Sequence, residues 1–267
     1  MSDFLQIMAQ ASAERAAQAE SRLRSAEFDK PVVSLSLGDF DVIAEIKNRS
    51  PSEGDLATPN GNRAEQARRY VEGGAAAISV LTEPSRFAGS LEHLEGVVSA
   101  VPGTPVMRKD FLVEPIQVLE ARAAGASGVL LIVTMLDDGK LRDMLDCAFE
   151  QGMFVLLESF DKADLERTSE LLQTSAYRDM AEQGQLLTGV NTRNLRTLNV
   201  DSDRLKKLAP VLPASRCVAE SGLHSPDDAA AVARLGYSLV LVGTALMRSA
   251  DPAALVAAMR TAGSAVA

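Results

Sequence analysis

A regular alternation of short apolar runs with helical patterns constrains this chain more than any other feature. The apolar runs are strand-like and recur at spacings of about 25–35 residues, as in parallel β-strands that are joined by helices. Eight such runs are found, at residues 42–47, 76–81, 105–109, 129–133, 154–158, 186–191, 216–220 and 238–242. Eight βα units in one chain predict an α/β fold of the closed (β/α)8 type, a TIM barrel. The alternative is an open, doubly wound sheet, but no strand–turn–helix here carries the G-x-G-x-x-G pattern typical of that fold.

The length of 267 residues suits a single barrel. We therefore expect residues 1–267 to form one domain, with residues 1–40 as an N-terminal helical extension. The extension is rich in Ala, Glu, Gln and Arg from Asp3 to about Glu27, which predicts an amphipathic or mostly exposed helix. That helix either caps the barrel or lies on its surface. A second long helical pattern, at residues 161–183, is predicted to break near Thr174.

Charge and residue usage exclude several classes of function. The net charge of −9 argues against nucleic acid or an anionic membrane as a partner. Cys147 and Cys217 have no metal or redox spacing, and with only His93 and His224 the chain has almost no material for a histidine triad or a histidine-rich metal site. No cleavable leader and no apolar run of about 18 residues is present. We expect a cytoplasmic protein, a monomer or a weak homo-oligomer, that binds a small molecule.

The first and third predicted strands both end in charged residues. The third strand ends in Lys109, and a buried lysine is costly unless it faces a cleft. Lys109 is therefore a candidate acid or cation site, and the alternative is a surface lysine just past a strand. In the first strand, alternation places Glu45 and Lys47 on the same face. Such a pair fits either a partly buried site or a structural ion pair.

Polar residues at the carboxyl ends of barrel strands form a common site in this type of fold. The residues found there are Glu45 with Lys47, Lys109, Glu158, Asn191 with Arg193, Glu220 with Ser221, and Gly243 with Thr244. The first four of these strand ends bring two carboxylates together with three cations, whereas the last two strand ends are small and glycine-bearing and could present backbone N–H groups to a phosphate. A site of this composition without a metal cluster predicts acid–base chemistry on a sugar phosphate.

A series of short motifs follows in a fixed order between about residues 40 and 250. They are residues 43–47 with 50–52, 79–82 with Phe87, Gly89 and Ser90, 108–111 with Gln117 and 120–122, 189–195, 220–222, and Val242 and Gly243 with 246–248. In this order they resemble the indole-3-glycerol-phosphate synthase family, the lyases of tryptophan biosynthesis. Each motif alone is modest, but the ordered set is highly specific.

The resemblance implies a reaction on carboxyphenylamino-deoxyribulose phosphate, an anionic sugar phosphate, without a cofactor. The carbonyl of the substrate is attacked by its own aromatic ring, carbon dioxide leaves, and water is lost to give the indole. By resemblance, Lys109 is the general acid of ring closure and Glu158 is the general base or proton shuttle of the dehydration. Glu45 and Lys47 would assist, and Asn191 would hydrogen-bond the reacting centre.

The resemblance also implies three groups of binding residues. They are Arg193, Glu220 and Ser221, which organise the pocket, Phe87, Phe111 and Leu195, which form a slot for the anthranilate ring, and Gly222, Gly243, Thr244 and Ser50, which hold the phosphate. If Lys109 is buried, we expect its pKa to be lowered, helped by Lys47 and resisted by Glu45 and Glu158.

The chain departs from the family pattern at a few positions. Asn48 stands where a basic residue is usual, Glu53 where a lysine is frequent, Ser159 and Phe160 where valine and histidine follow the fifth strand, and Thr192 where a second asparagine is usual. The segment between the fifth and sixth strands is longer than is common. None of these departures removes a proposed catalytic residue.

Two other readings stay open. A sister barrel, such as phosphoribosylanthranilate isomerase, would share the phosphate site but would need a catalytic cysteine near the first strand, where this chain has Glu45 and Lys47. A non-catalytic or re-purposed paralogue that binds a sugar phosphate is the third reading. The joint presence of Lys109, Glu158, Glu45 and Lys47 speaks against it, because binding alone needs no carboxylate pair.

Overall fold

The computed structural model describes residues 3–23, 28–50, 54–56, 62–193, 199–201 and 203–267. A closed ring of eight parallel strands forms its centre. The first strand of the ring pairs with both the second and the last, which closes the ring. The strands of the ring are β1 (Asp41–Ile46), β4 (Ala77–Leu81), β5 (Val106–Lys109), β6 (Gly128–Ile132), β7 (Phe154–Ser159), β8 (Leu186–Asn191), β9 (Arg216–Glu220) and β10 (Leu239–Val242). The predicted (β/α)8 barrel is therefore confirmed, and all eight predicted strands are present.

The helices between the strands cover the outside of the ring. They are α2 (Arg63–Glu72), α4 (Leu91–Ala100), α5 (Pro115–Ala123), α6 (Asp138–Glu150), α7 (Lys162–Leu171), α8 (Ser175–Glu182), α9 (Arg204–Leu208), α10 (Pro226–Ala233) and α12 (Pro252–Ser264). Polar side chains set where several of them begin: Asn62, Ser90 and Asp137 each accept a hydrogen bond from a backbone N–H of the first turn. The predicted break near Thr174 is confirmed, because α7 and α8 are separate helices.

The N-terminal helix α1 (Asp3–Leu23) packs against α5 and reaches the carboxyl end of β5. Its Ser12 accepts hydrogen bonds from Nε2 of Gln117, at 2.9 Å to Oγ and 3.2 Å to the backbone oxygen. Arg15 donates from Nη2 to Oδ1 of Asp110 at 2.7 Å. The described part of α1 reaches Leu23, and residues 24–27, which the predicted helix also included, lie outside the described residues. The contacts with Gln117 and Asp110 favour a cap over the barrel.

Several short elements lie beyond the carboxyl ends of the barrel strands and were not predicted. They are the antiparallel pair β2 (Arg49–Ser50) and β3 (Gly54–Asp55), the helices α3 (Pro84–Phe87) and α11 (Thr244–Arg248), and a 3-10 turn at Val133–Met135. Each is shorter than the window in which a periodic apolar pattern can be recognised. None of the helices within the described ranges combines the length and the apolar character that a membrane crossing needs.

Candidate active site

Four charged side chains from β1, β5 and β7 meet inside the carboxyl end of the barrel. The Nζ atom of Lys47, which directly follows β1, lies 2.8 Å from Oε1 of Glu45. The Nζ atom of Lys109 lies 3.7 Å from Oε2 of Glu45 and 3.8 Å from Oε2 of Glu158. The carboxyl groups are almost fully buried, whereas the Lys109 side chain retains 15% of its exposure. The structure thus brings together four of the five residues that the sequence indicated for catalysis.

The fifth, Asn191, connects this ionic cluster to the loops above β8 and β9. Its Nδ2 atom donates to Oε2 of Glu158 at 3.1 Å. Its Oδ1 atom accepts a hydrogen bond from Oγ of Ser221 and one from the backbone N–H of Arg193, both at 2.9 Å. These two donors orient the amide, so that its N–H groups point toward Glu158.

The protonation states of Lys109 and Glu45 follow from their neighbours. Burial disfavours the ammonium form of Lys109, but the charges of Glu45 and Glu158 outweigh burial, and its pKa is raised. Burial likewise opposes the charged form of Glu45, but Lys47 and Lys109 hold its pKa below the ordinary value. The expected lowering of the Lys109 pKa was wrong, because it underweighted two carboxylates less than 4 Å from the ammonium group.

A third carboxyl group, that of Glu220, lies at the end of β9 and is 1% exposed. Neither of its oxygens accepts a hydrogen bond from a described donor. Burial, and next the nearby charge of Glu158, raise the pKa of Glu220 well above its ordinary value. The sequence indicated Glu220 only as a binding residue. Three strand-end carboxyl groups face only two lysines. This count was the signal that one carboxyl group would lack a lysine of its own.

The turns after β9 and β10 are shaped by backbone conformation. Ser221 and Gly222 both adopt left-handed backbone angles, with φ values of 68° and 74°. A Cβ atom at Gly243 would lie 2.8 Å from Nζ of Lys47, so this position admits no side chain beside the ionic cluster. Gly243 precedes α11, whose first residue Thr244 also lines the pocket. Backbone N–H groups at such turns are suited to an anion.

Aromatic rings form the opposite wall of the pocket. The ring centroids of Phe87 and Phe111 are 6.1 Å apart. Phe4 of α1 meets Phe111 edge to face, with centroids 5.8 Å apart, and also lines the pocket. The sequence analysis did not assign Phe4 to the slot, although an apolar cluster at the start of an otherwise polar helix was a signal for it. Leu195 lies outside the described residues, and so does the side chain of Ser50.

The positions that depart from the family pattern surround the ionic cluster rather than belong to it. Asn48 donates from Nδ2 to the carbonyl of Ala88 at 2.8 Å and accepts from Nε of Arg63 at 3.0 Å. Thr192 donates toward the carbonyl oxygens at the end of β9. Ser159 is fully buried, and its Oγ atom has no described hydrogen-bond partner. Glu53 lies outside the described residues.

The fold and the pocket define a class of protein: a TIM barrel whose mouth combines a lysine–carboxylate cluster, an apolar slot and glycine-bearing turns of the kind that bind phosphate. Comparison with known families narrows the class. The sequence profile described as indole-3-glycerol phosphate synthase matches residues 5–259. The chain therefore belongs to the indole-3-glycerol phosphate synthase family.

Individual relatives agree with this assignment. The chain is 49% identical over 230 residues to the indole-3-glycerol phosphate synthase of Nocardioides sp., which covers 86% of this chain and 83% of the relative. It is 46% identical over 224 residues to the protein of the same name from Mycobacterium leprae, with 83% of this chain and 77% of the relative covered. Among solved structures, 3-hexulose-6-phosphate synthase from Salmonella typhimurium superposes with a TM-score of 0.62 at 18% identity, over 84% of this chain and 98% of that one. The last comparison bears on the fold alone.

Proposed function

We propose that this chain converts 1-(2-carboxyphenylamino)-1-deoxyribulose 5-phosphate to indole-3-glycerol phosphate, with loss of carbon dioxide and water. It would act as a carbon–carbon lyase of tryptophan biosynthesis, in the cytoplasm and on a small anionic substrate. The observation that carries the proposal is the position of Lys109, a charged ammonium group within 4 Å of two carboxylates and beside an aromatic slot. Membership of the family, whose relatives carry this activity in their name, supports the choice of substrate.

The pocket offers a separate place for each part of the substrate. The flat anthranilate ring suits the slot between Phe87 and Phe111, which Phe4 closes from the side. The phosphate suits the turns at Gly222 and Gly243, where backbone N–H groups can approach closely. The reacting carbonyl then lies between these two ends, beside the ionic cluster. Lys47 would bind the carboxylate of the substrate after moving away from Glu45.

Ring closure needs a stabilising charge and a proton donor, and Lys109 would supply both. As the ring carbon bonds to the carbonyl carbon, electrons move onto the carbonyl oxygen, which becomes an alkoxide. A fixed ammonium group stabilises that charge by a few kcal/mol relative to water. With a raised pKa, Lys109 is a weak acid in the resting site, but an alkoxide is basic enough to take its proton. The bond to the carboxylate then breaks, carbon dioxide leaves, and its electron pair restores the aromatic ring.

Dehydration completes the reaction and requires a base. The hydroxyl group formed in ring closure takes up one proton and leaves as water, and one proton is lost from the new five-membered ring, so a residue that shuttles a proton between these two positions balances the step. Glu158 would take up that proton, since its carboxylate is oriented by Nδ2 of Asn191 and faces the same cavity as Lys109. Glu45 would keep Lys109 and Lys47 in place, because it lies between them.

Fluorescence of the indole product tests the proposal. The purified protein is incubated with the substrate, beside Lys109→Ala and, as a matched control, Lys206→Ala, which removes an exposed lysine of α9. We expect turnover by the wild type and the control that collapses in Lys109→Ala. Turnover that survives in Lys109→Ala would contradict the role of Lys109. Saturable binding without any turnover by the wild type would identify a non-catalytic paralogue.

A further inference from the structure

The carboxyl group of Glu220 lies in the active-site cluster, but the proposed reaction gives it no role. It lies at the end of β9, opposite Asn191 of β8, and is buried. Within the described residues, no N–H or O–H group donates to either of its oxygens. A carboxylate buried without a donor costs far more than a hydrogen-bonded one. An ionised Glu220 is therefore expensive at this position.

The positive charges of the cluster are engaged by other carboxylates. Lys47 lies 2.8 Å from Glu45, and Lys109 lies 3.7 and 3.8 Å from Glu45 and Glu158. The amide of Asn191 donates to Glu158. Two lysines thus balance two carboxylates, and a third negative charge at Glu220 would have no counterpart among these groups.

The neighbour that Glu220 can reach is itself a carboxyl group. Glu158 of β7 is paired in register with Gly189 of β8, and the carboxyl group of Glu220 extends over that glycine, so the two carboxyl groups come together inside the ring. Two carboxylates have no hydrogen between them, so this contact is a hydrogen bond only when one group carries a proton. Gly189 of β8 makes the contact possible, because a Cβ atom there would overlap Oε1 of Glu220.

We propose that Glu220 is a neutral carboxylic acid in the resting protein and donates its O–H to the carboxylate of Glu158. The pair then holds one proton, and Glu158 is fixed by two neutral donors, Glu220 and Asn191. Glu220 is a positioning residue that acts through Glu158, and this role rests on the proposed function of Glu158 as the base. The charged groups that face Glu220 are Glu158 on β7, Lys109 on β5 and Glu45 on β1; the two carboxylates favour its neutral form and Lys109 opposes it.

Infrared spectroscopy tests the location of the proton without substrate, so its outcome is independent of whether the lyase reaction occurs. A protonated carboxyl group has a C=O stretching band apart from the bands of carboxylates and amides. We expect such a band in the wild type at about pH 7.5, where free glutamate is ionised. It should be absent from Glu220→Gln and present in Glu166→Gln, which removes an exposed carboxylate that is paired with Lys162.

The wild type alone keeps the test decisive if Glu220→Gln does not fold. Incorporation of 13C-labelled glutamate must shift the band, because aspartate carboxyl groups are then unlabelled. A wild-type spectrum without a glutamate-sensitive band, or a band that survives in Glu220→Gln, would overturn the proposal.

Kinetics separate this role from an ionised substrate ligand. Glutamine keeps a neutral donor at position 220, whereas alanine removes it. Losing one charge-assisted hydrogen bond to Glu158 should lower kcat about ten- to a hundredfold in Glu220→Ala, with a smaller change in KM. We expect Glu220→Gln to recover at least about tenfold of that loss. Equal losses in the two variants, with KM raised in both, would mean that the charge of Glu220 binds substrate.

Discussion

Arg108 and Lys109 are consecutive residues of β5, yet their side chains meet different surroundings. Arg108 points outward between the strands and α5, whereas Lys109 points into the pocket at the barrel mouth. Both are cations with little exposure, at 3% and 15% of the side chain. The difference lies in how closely their partners approach.

Arg108 is bound by short contacts on every side. Its Nη1 atom lies 2.8 Å from Oε2 of Glu120 and donates to the backbone oxygen of Gln117 at 3.0 Å. Its Nε and Nη2 atoms donate to Thr82 at 3.2 Å and to Asp110 at 3.3 Å. Four of the five N–H donors of the guanidinium group are thus engaged by the protein itself, which leaves at most one for a ligand.

Lys109, by comparison, lies 3.7 and 3.8 Å from its carboxylates, beyond the distance of a hydrogen bond. Those carboxylates raise its pKa without occupying its donors. A substrate oxygen can therefore enter between the ammonium group and its partners. Arg108, which supports the fold, is thus held by short hydrogen bonds to its partners. Lys109, which serves the site, is charged but keeps its donors available.

The sharpest way to break this comparison is to remove the ammonium group. In Lys109→Met, we expect kcat to fall about a thousandfold, because both the fixed charge and the proton of ring closure are lost. The rate of indole formation at saturating substrate measures the effect. A loss smaller than tenfold would mean that another group supplies the proton.

Removal of the other cation should act on stability instead. Arg108→Met removes the guanidinium group from the buried carboxylate of Glu120 and leaves Asp110 with its contact to Arg15, so we expect the free energy of unfolding to fall by about 3–5 kcal/mol. Urea unfolding measures it, with Arg49→Met as the control for an exposed pair with Asp55, where little change is expected. Equal changes in the two variants would show that the Arg108 network contributes no more than a surface pair.

The pH dependence of stability tests whether Glu220, unlike the carboxylates around Arg108 and Lys109, is neutral in the folded protein. Its pKa is raised in the folded protein, so the folded chain keeps a proton that the unfolded chain releases above the ordinary value of 4.5. Stability from this group is thus present at low pH and is lost as pH rises toward the folded pKa, by about 1.4 kcal/mol per pH unit. Relative to Glu220→Gln, the wild type should lose stability with that slope as pH rises above the ordinary value of 4.5, until the folded carboxyl group ionises. Parallel curves for the two proteins would contradict a neutral Glu220.

The smallest expected effect concerns the contact between α1 and the site. Arg15→Ala removes the 2.7 Å bond to Asp110, which precedes Phe111 in the aromatic slot. Because Phe4 of α1 closes that slot, we expect KM to rise a few-fold, equivalent to about 1 kcal/mol, with little change in kcat. Glu14→Ala, on the exposed face of the same helix, is the control. An unchanged KM would mean that α1 does not need this bond to close the slot.

Much of the fold could be predicted because the relevant signals are local. Residues 129–133 are apolar throughout, as a barrel strand requires, and the position of Lys109 at a strand end already indicated the barrel mouth. The site also has components that no local pattern encodes. The pKa of Lys109 depends on its distances to Glu45 and Glu158, and Phe4 reaches the slot only through the packing of α1 on α5. Opposing terms of similar size, such as burial and ion pairing, can be weighed only when those distances are known.

Equilibrium unfolding of Lys109→Met beside Arg108→Met tests the central claim most directly. In Lys109→Met, Glu45 keeps Lys47 at 2.8 Å and Glu158 keeps the amide of Asn191. Because Lys109 makes no hydrogen bond to these carboxylates, we predict that Lys109→Met loses at most about half as much free energy of unfolding as Arg108→Met, although its activity collapses. A loss in Lys109→Met as large as that in Arg108→Met would show that Lys109 also holds the fold, and would contradict the distinction between the two cations.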